Sequence, residues 1–285
     1  MAIKLITDTG CDLPKSLLED LNVDVMPLMV YLDDVEYRDG LDISHEDFYE
    51  KMRAGSKTRT AQIPTPVMED TFNKYISQGD DLLYIAFSSN LSGTYQTAMM
   101  LRNDMIEGKE TNFQVLDSKC ASIGFGLVVY YAAKDIEKGL SFDQVVENAK
   151  NNARSMEHIF TVDNLEYLYR GGRVSRGAAV VGTVLNIKPI LDVEDGKLIP
   201  LQKIRSRKKA INRMLEIMEE RGTDLQGQTI GINHGDDLET ALMIKSRIED
   251  QFGCHDFIIN YVGCAIGAHS GPGTLSVFFI NNQKK

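Results

Sequence analysis

Residues 81–95 read Asp81-Leu82-Leu83-Tyr84-Ile85-Ala86-Phe87-Ser88-Ser89-Asn90-Leu91-Ser92-Gly93-Thr94-Tyr95. Asp81–Ser88 is a short, nearly continuous apolar run, the pattern of a strand buried on both faces. A Ser/Gly loop follows, and a helix is expected from about Thr94. The same strand-loop-helix unit recurs on either side. Lys4–Thr7 leads through Asp12, Leu13 and Pro14 into a helix from Pro14 to about Leu21, with proline at its favoured early position. Val23–Leu32 reads as extended. Ser44 is placed to cap a helix beginning near His45, and Pro64-Thr65-Pro66 opens another. Phe113–Asp117 is a further strand, followed by a helix from near Ser122. This rhythm predicts an N-terminal Rossmann-like domain, a mostly parallel sheet with flanking helices on both faces.

The second half reads differently. Ile159–Val162 is extended and runs on to Leu165–Tyr169 and a pair of glycines. Pro189–Val193 and Leu198–Gln202 flank Asp195-Gly196, a hairpin signature. A helix from about Ser206 to Arg221 precedes strands at Thr229–Asn233, Phe257–Tyr261 and Leu275–Asn281. Hairpins among α/β units predict a C-terminal mixed-sheet α/β domain. The polar stretch Glu147–Glu157 marks the expected boundary, giving domains 1–154 and 155–285.

A chain of 285 residues, 43% hydrophobic and 25% charged, is long enough for two domains and too apolar for disorder. Its 31 Lys and Arg stand against 41 Asp and Glu, a net charge of −10 that disfavours nucleic-acid binding. No basic head and apolar core of a signal peptide opens the chain. Ile123–Ala133, the longest apolar stretch, is too short to span a bilayer. Cys11, Cys120, Cys254 and Cys264 form no C-x-x-C pair, so reduced thiols and a cytoplasmic location are expected.

Five loops carry polar chemistry. Asp8-Thr9-Gly10 appears once, whereas an aspartic protease needs two such carboxylates, so Asp8 is expected to satisfy loop amides. Thr58-Arg59-Thr60-Ala61-Gln62-Ile63-Pro64 offers hydroxyls and an amide ahead of a helix. The Ser88–Tyr95 loop aims amides and hydroxyls at a helix terminus suited to a carboxylate or phosphate, and Gly93 permits close backbone approach. Arg170-Gly171-Gly172-Arg173 puts two guanidinium groups around a turn; they suit either a carboxylate or an interdomain ion pair. Gly267-Ala268-His269-Ser270-Gly271-Pro272-Gly273-Thr274 reads as a Gly-dense loop before the last strand, with His269 able to orient an acid. The other histidines show no ligand spacing, and no metal is expected. Gly124-Phe125-Gly126 has Val129 where the dinucleotide fingerprint needs its third glycine; the P-loop and the G-x-S-x-G elbow are absent. Lys203, Arg205, Arg207, Lys208 and Lys209 form a basic cluster that suits an acidic docking partner.

Taken in order, these segments resemble the DegV family of bacterial lipid-binding proteins. The matching pieces are Thr7-Asp8-Thr9 with Asp12-Leu13-Pro14, Thr60-Ala61-Gln62 with Pro64, Leu91-Ser92-Gly93-Thr94-Tyr95, and Asp117-Ser118 with Ser122 and Gly124. Leu168-Tyr169-Arg170-Gly171-Gly172-Arg173, Lys188-Pro189-Ile190-Leu191, Lys203-Ile204-Arg205 and His269-Ser270-Gly271-Pro272-Gly273 complete the set. The resemblance implies a carrier that holds one long-chain, palmitate-like fatty acid between two domains and needs no other cofactor. It places the carboxylate on Thr60 and Ser92, with Arg170 and His269 in the supporting polar network. Ala61, Gln62, Gly93, Thr94, Ser270 and Gly271 fill out the implied ligand-binding set. It further implies an ATP-dependent fatty acid kinase as partner, for which the basic residues Lys203, Arg205 and Arg207 are the expected docking site, with transient contact to a membrane or an acyltransferase. Two departures stand out: Ala61 replaces the usual serine, and Ile63 intervenes before Pro64. The alternative from a different class is an acyl hydrolase or transferase using Ser92 and His269, which requires a Ser–His hydrogen bond.

Overall fold

The computed structural model describes residues 2–108, 111–175 and 186–281. The first half contributes β1 (Ile3–Asp8), β2 (Asp24–Met26), β3 (Met29–Leu32), β4 (Val35–Arg38), β5 (Thr58–Ala61), β6 (Asp81–Ala86) and β7 (Phe113–Asp117). Four of these form a wholly parallel sheet in the order β2-β1-β6-β7. Its strands are buried on both faces, which is why they read as continuous apolar runs. Leu83 and Ile85 of β6 point into one core with the helix Ser122–Glu137. Leu82, Tyr84 and Ala86 point into the other, with the helices Thr65–Ile76 and Thr94–Ile106. The expected Rossmann-like layer is present.

The extended reading of Val23–Leu32 proves to be two strands in different sheets. Pro27 lies between β2 and β3, and β3 centres a small antiparallel sheet, β4-β3-β5, absent from the sequence reading. The segment Thr58–Ala61 is therefore a strand and not a loop. Ser44 caps the helix His45–Arg53 as expected, accepting from the Asp47 N–H at 3.1 Å.

The second half adds β8 (Met156–Thr161), β9 (Ile187–Glu194), β10 (Lys197–Arg205), β11 (Thr229–His234), β12 (Asp256–Tyr261) and β13 (Leu275–Ile280). They form one mixed sheet, β10-β9-β8-β13-β11-β12, antiparallel except for the β11–β12 pair. Asp195 and Gly196 carry φ of 45° and 76°, both positive, as a tight hairpin turn between β9 and β10 demands. One face of this sheet packs on the helices Arg207–Arg221 and Leu238–Phe252. The latter helix was not anticipated.

The polar stretch 147–157 holds the end of a helix, Phe142–Ser155, and the start of β8. The helix Ser122–Glu137 is the seam of the molecule, touching β1 on one side and β8, β11 and β13 on the other. Its glycines explain how it fits. A Cβ on Gly124 would lie 2.4 Å from His158 Nε2, and one on Gly126 would lie 2.4 Å from the Cys11 carbonyl. Two residues apart on a helix, they face opposite ways, so each sheet gains a close approach. Gly124-Phe125-Gly126 is thus a packing device.

Candidate functional site

Residues from both halves line a cavity of about 210 Å3. Leu28, Phe87 and Leu91 supply apolar wall from the first half, and Phe160, Val193 and Phe278 from the second. In the second half, strand alternation selects the wall residues. On β8, His158 and Phe160 face the cavity while Ile159 enters the helix-covered core; on β13, Ser276 and Phe278 face it while Val277 turns away. The β9–β10 hairpin carries Val193 and Leu198 to the same wall. Its tip is held on the loop after β6: Ser88 Oγ donates to the Gly196 carbonyl at 2.9 Å and Asn90 Nδ2 to the Asp195 carbonyl at 2.6 Å.

Asp8 organises the base of that loop. Its Oδ1 accepts from the Gly10 N–H at 3.0 Å, and its Oδ2 accepts from the Tyr84 hydroxyl at 2.9 Å and the Phe87 N–H at 3.1 Å. Burial pushes its pKa up to about 6 despite these bonds. Asp8 is a fully enclosed scaffold residue and is absent from the cavity wall.

The polar part of the wall assembles most of the residues singled out from the sequence. Thr60, Ala61, Gln62, Ser92, Gly93, His269 and Ser270 all line it. On β5, Thr58 and Thr60 share a face and both reach the helix Cys264–Ser270. Thr58 Oγ1 donates to the Ala268 carbonyl at 2.9 Å, and Thr60 Oγ1 lies 2.8 Å from His269 Nε2. His269 therefore sits near the end of a short helix, not in a loop; the glycine-dense turn begins only at Gly271. The extra residue Ile63 is fully buried in the core shared with Phe72 and Tyr84. Ala61, exposed on β5, offers no hydroxyl, and neighbouring Gln62 reaches toward Gly93: a Cβ there would stand 2.6 Å from Gln62 Oε1.

Three expected residues do not reach the wall. Thr94 is buried behind Ser92, with their hydroxyl oxygens 2.9 Å apart. Gly271, at φ 81°, closes the helix against Tyr167. Arg170 points outward on the helix Glu166–Arg170, pairing with Glu166 at 3.8 Å and lying over the Tyr167 ring at 4.8 Å. The arginine that lines the cavity is Arg173. Gly172, at φ 73°, reverses the chain between the two arginines, so the residue after the turn faces inward. Arg173 Nε and Nη2 donate to the Leu91 carbonyl at 3.2 and 2.9 Å, and Nη1 donates to the Gly171 carbonyl. Among the described residues it has no carboxylate partner within ion-pair distance.

Gly171 allows His269 its place, since a Cβ there would lie 2.0 Å from Nδ1. Burial, with the charge of Arg173, lowers the His269 pKa to about 4, so the imidazole is neutral at neutral pH. Ser92 is hydrogen-bonded to Thr94 and His269 to Thr60, so the described contacts assemble no Ser92–His269 pair. Of the basic cluster, Lys203 and Arg205 are exposed on the edge strand β10. Arg207 is instead tied to Asp163 at 3.1 Å, to the Gly273 carbonyl at 2.8 Å and to Asp237.

Comparison with known proteins places this geometry in context. A family model described as "Uncharacterised protein, DegV family" matches residues 2–282. A DegV domain-containing protein from Clostridium perfringens is 38% identical over 285 residues, covering 99% of this chain and 98% of that one. A solved DegV family structure from Thermus thermophilus, whose description reports fatty acid binding, superposes with a TM-score of 0.89 at 29% identity, covering 99% and 100% of the two chains. A stearic acid-binding protein from Eubacterium ventriosum gives a TM-score of 0.90 at 26% identity, covering 99% of each. These solved relatives share the two-domain α/β architecture. No helix among the described residues is long and apolar enough to cross a membrane.

Proposed function

The chain belongs to the DegV family, and from that premise we propose that it holds one long-chain fatty acid in this cavity and presents it to an ATP-dependent fatty acid kinase. The observation that carries the reading is Arg173, a half-buried cation on the cavity wall with no carboxylate partner among the described residues. A buried charge needs a counter-charge, and a ligand carboxylate supplies one beside donors already in position. Ser92 and Thr60 add hydroxyls. With its hydrogen on Nε2, neutral His269 donates to Thr60 Oγ1 and leaves the Thr60 hydroxyl to donate to the ligand. A sixteen-carbon tail at about 0.8 kcal/mol per methylene contributes roughly 12 kcal/mol before ordering and association costs.

Native mass spectrometry, followed by denaturation and organic extraction, tests the carrier reading. It should release one long-chain fatty acid per chain; protein that neither carries nor takes up such an acid would overturn it. The docking step has its own test. Lys203→Glu with Arg205→Glu should impair kinase-dependent acyl phosphate formation and leave fatty-acid binding unchanged, whereas equal loss of both would remove the docking role.

A further inference from the structure

A second hollow, about 860 Å3, opens beyond the carboxyl ends of β1 and β2, bordered by Thr9, Asp12, Asp39, His45, Tyr261 and Gly263. Its floor is acidic and underpaired. Asp39 is 1% exposed; its Oδ1 accepts from the Cys264 N–H at 3.0 Å, the Thr9 hydroxyl and the Ala265 N–H also lie against its carboxylate, and its Oδ2 has no well-aligned hydrogen bond among the described residues. Asp12, 5% exposed, accepts from Ser122 through Oδ2, and its Oδ1, with the Gly263 N–H beside it, has no well-aligned hydrogen bond among the described residues. These two oxygens converge on Gly263: a Cβ there would lie 2.4 Å from Asp12 Oδ1 and 3.6 Å from Asp39 Oδ2. Among the described residues, no lysine or arginine pairs with Asp8, Asp12 or Asp39. Donor atoms of Asp39, His45 and Cys264 all lie within 4.8 Å of one another.

We propose that Asp39, His45 and Cys264 are the protein ligands of a divalent transition-metal ion of the zinc class, with Asp12 beside it and a further position open to the hollow. The donor set decides the ion. Imidazole, thiolate and carboxylate together suit zinc, whereas calcium and magnesium require oxygen ligands throughout. Charge also balances: one carboxylate and one thiolate neutralise a dication, with the thiol proton released to solvent on binding. Zinc bonds of about 2.0–2.3 Å put tetrahedral ligand atoms roughly 3.3–3.8 Å apart, so the cluster must tighten by about 1 Å. His45 has room to do this. It is half-exposed, opens its helix, and stacks on Tyr261 with ring centroids 5.1 Å apart. The ion would join the segment after β4, the helix His45–Arg53 and the helix that carries His269. It would therefore fasten the C-terminal segment that brings His269 to Thr60.

The test uses the full-length chain stripped with a chelator and titrated with Co2+ or Zn2+ alone. One equivalent of Co2+ should produce a thiolate-to-cobalt charge-transfer band, displaced by equimolar Zn2+, and either ion should raise Tm. Cys264→Ser should abolish the band while Cys120→Ser keeps it. His45→Ala should weaken Zn2+ affinity at least tenfold. Absence of both band and Tm shift overturns the site, as does a band that survives in Cys264→Ser. If Cys264→Ser fails to fold, the His45→Ala titration decides, and unchanged Zn2+ affinity there overturns the assignment.

Discussion

Two hollows described above both open beyond the carboxyl ends of parallel strands, where α/β sheets leave space for ligands. Their electrostatics are opposite. The narrow one sets hydroxyls, a neutral histidine and Arg173, which has no carboxylate partner among the described residues, among apolar walls. The wide one has, at its floor, oxygens of Asp12 and Asp39 that lack a well-aligned hydrogen bond among the described residues. Topology supplied the space twice, and the side chains after each strand decided which sign of charge each space can accept. The first presents donors to a ligand, and the second presents acceptors at its floor.

The largest expected effect tests the acidic side. Asp8, near this floor, has its pKa raised from 3.8 to about 6, so the folded chain binds that proton more tightly than the unfolded chain. Its contribution is fully present below about pH 4 and is lost as pH rises through 6, on the order of 3 kcal/mol. Urea denaturation from pH 4 to 7 should show the stability gap between Asp8→Asn and the unaltered chain moving by that amount in favour of the variant. A gap that stays constant would show that Asp8 ionises at its ordinary pKa.

Next in size is the contrast between two arginines three positions apart. Arg173→Met removes a charge-assisted contact of about 1.5–3 kcal/mol, so fatty-acid affinity should fall on the order of 10- to 100-fold by calorimetry. Arg170→Met should change it by less than about twofold, because an exposed ion pair contributes little. Equal effects would mean that the cavity does not select between them. A smaller loss than that of Arg173→Met is expected from Ser92→Ala with Thr60→Val. Two neutral hydrogen bonds, at about 0.5–1.5 kcal/mol each, correspond to a weakening of roughly 5- to 100-fold, toward the low end where water replaces a hydroxyl. Unchanged affinity would remove these hydroxyls from the head-group site.

Much of this was legible because it is local. Asp81–Ser88 announces a doubly buried strand, Asp195-Gly196 a hairpin turn and Ser44 a helix cap, since each depends on a few consecutive residues. Some missed elements had local signals too. The helix Leu238–Phe252 carries an Asp237 cap and ends at Gly253 in the left-handed region, with Ala241, Ile244 and Ile248 at helical spacing. The small sheet left a weaker trace, because β4 is largely exposed and only four residues long. His269 was read into a loop because its glycines outweighed the short helix before them.

The sequence by itself determined that this is a two-domain α/β chain, and which segments carry polar chemistry, because strand periodicity, turn residues and caps are encoded within a few positions of one another. Only the tertiary structure decided which of these polar groups meet. It turned Arg173 inward and Arg170 outward across the pair Gly171-Gly172, set His269 against Thr60 over a gap of 209 residues, and brought Asp39, His45 and Cys264 together. Such meetings depend on how helices and sheets pack, and packing brings together side chains whose separation along the chain carries no period.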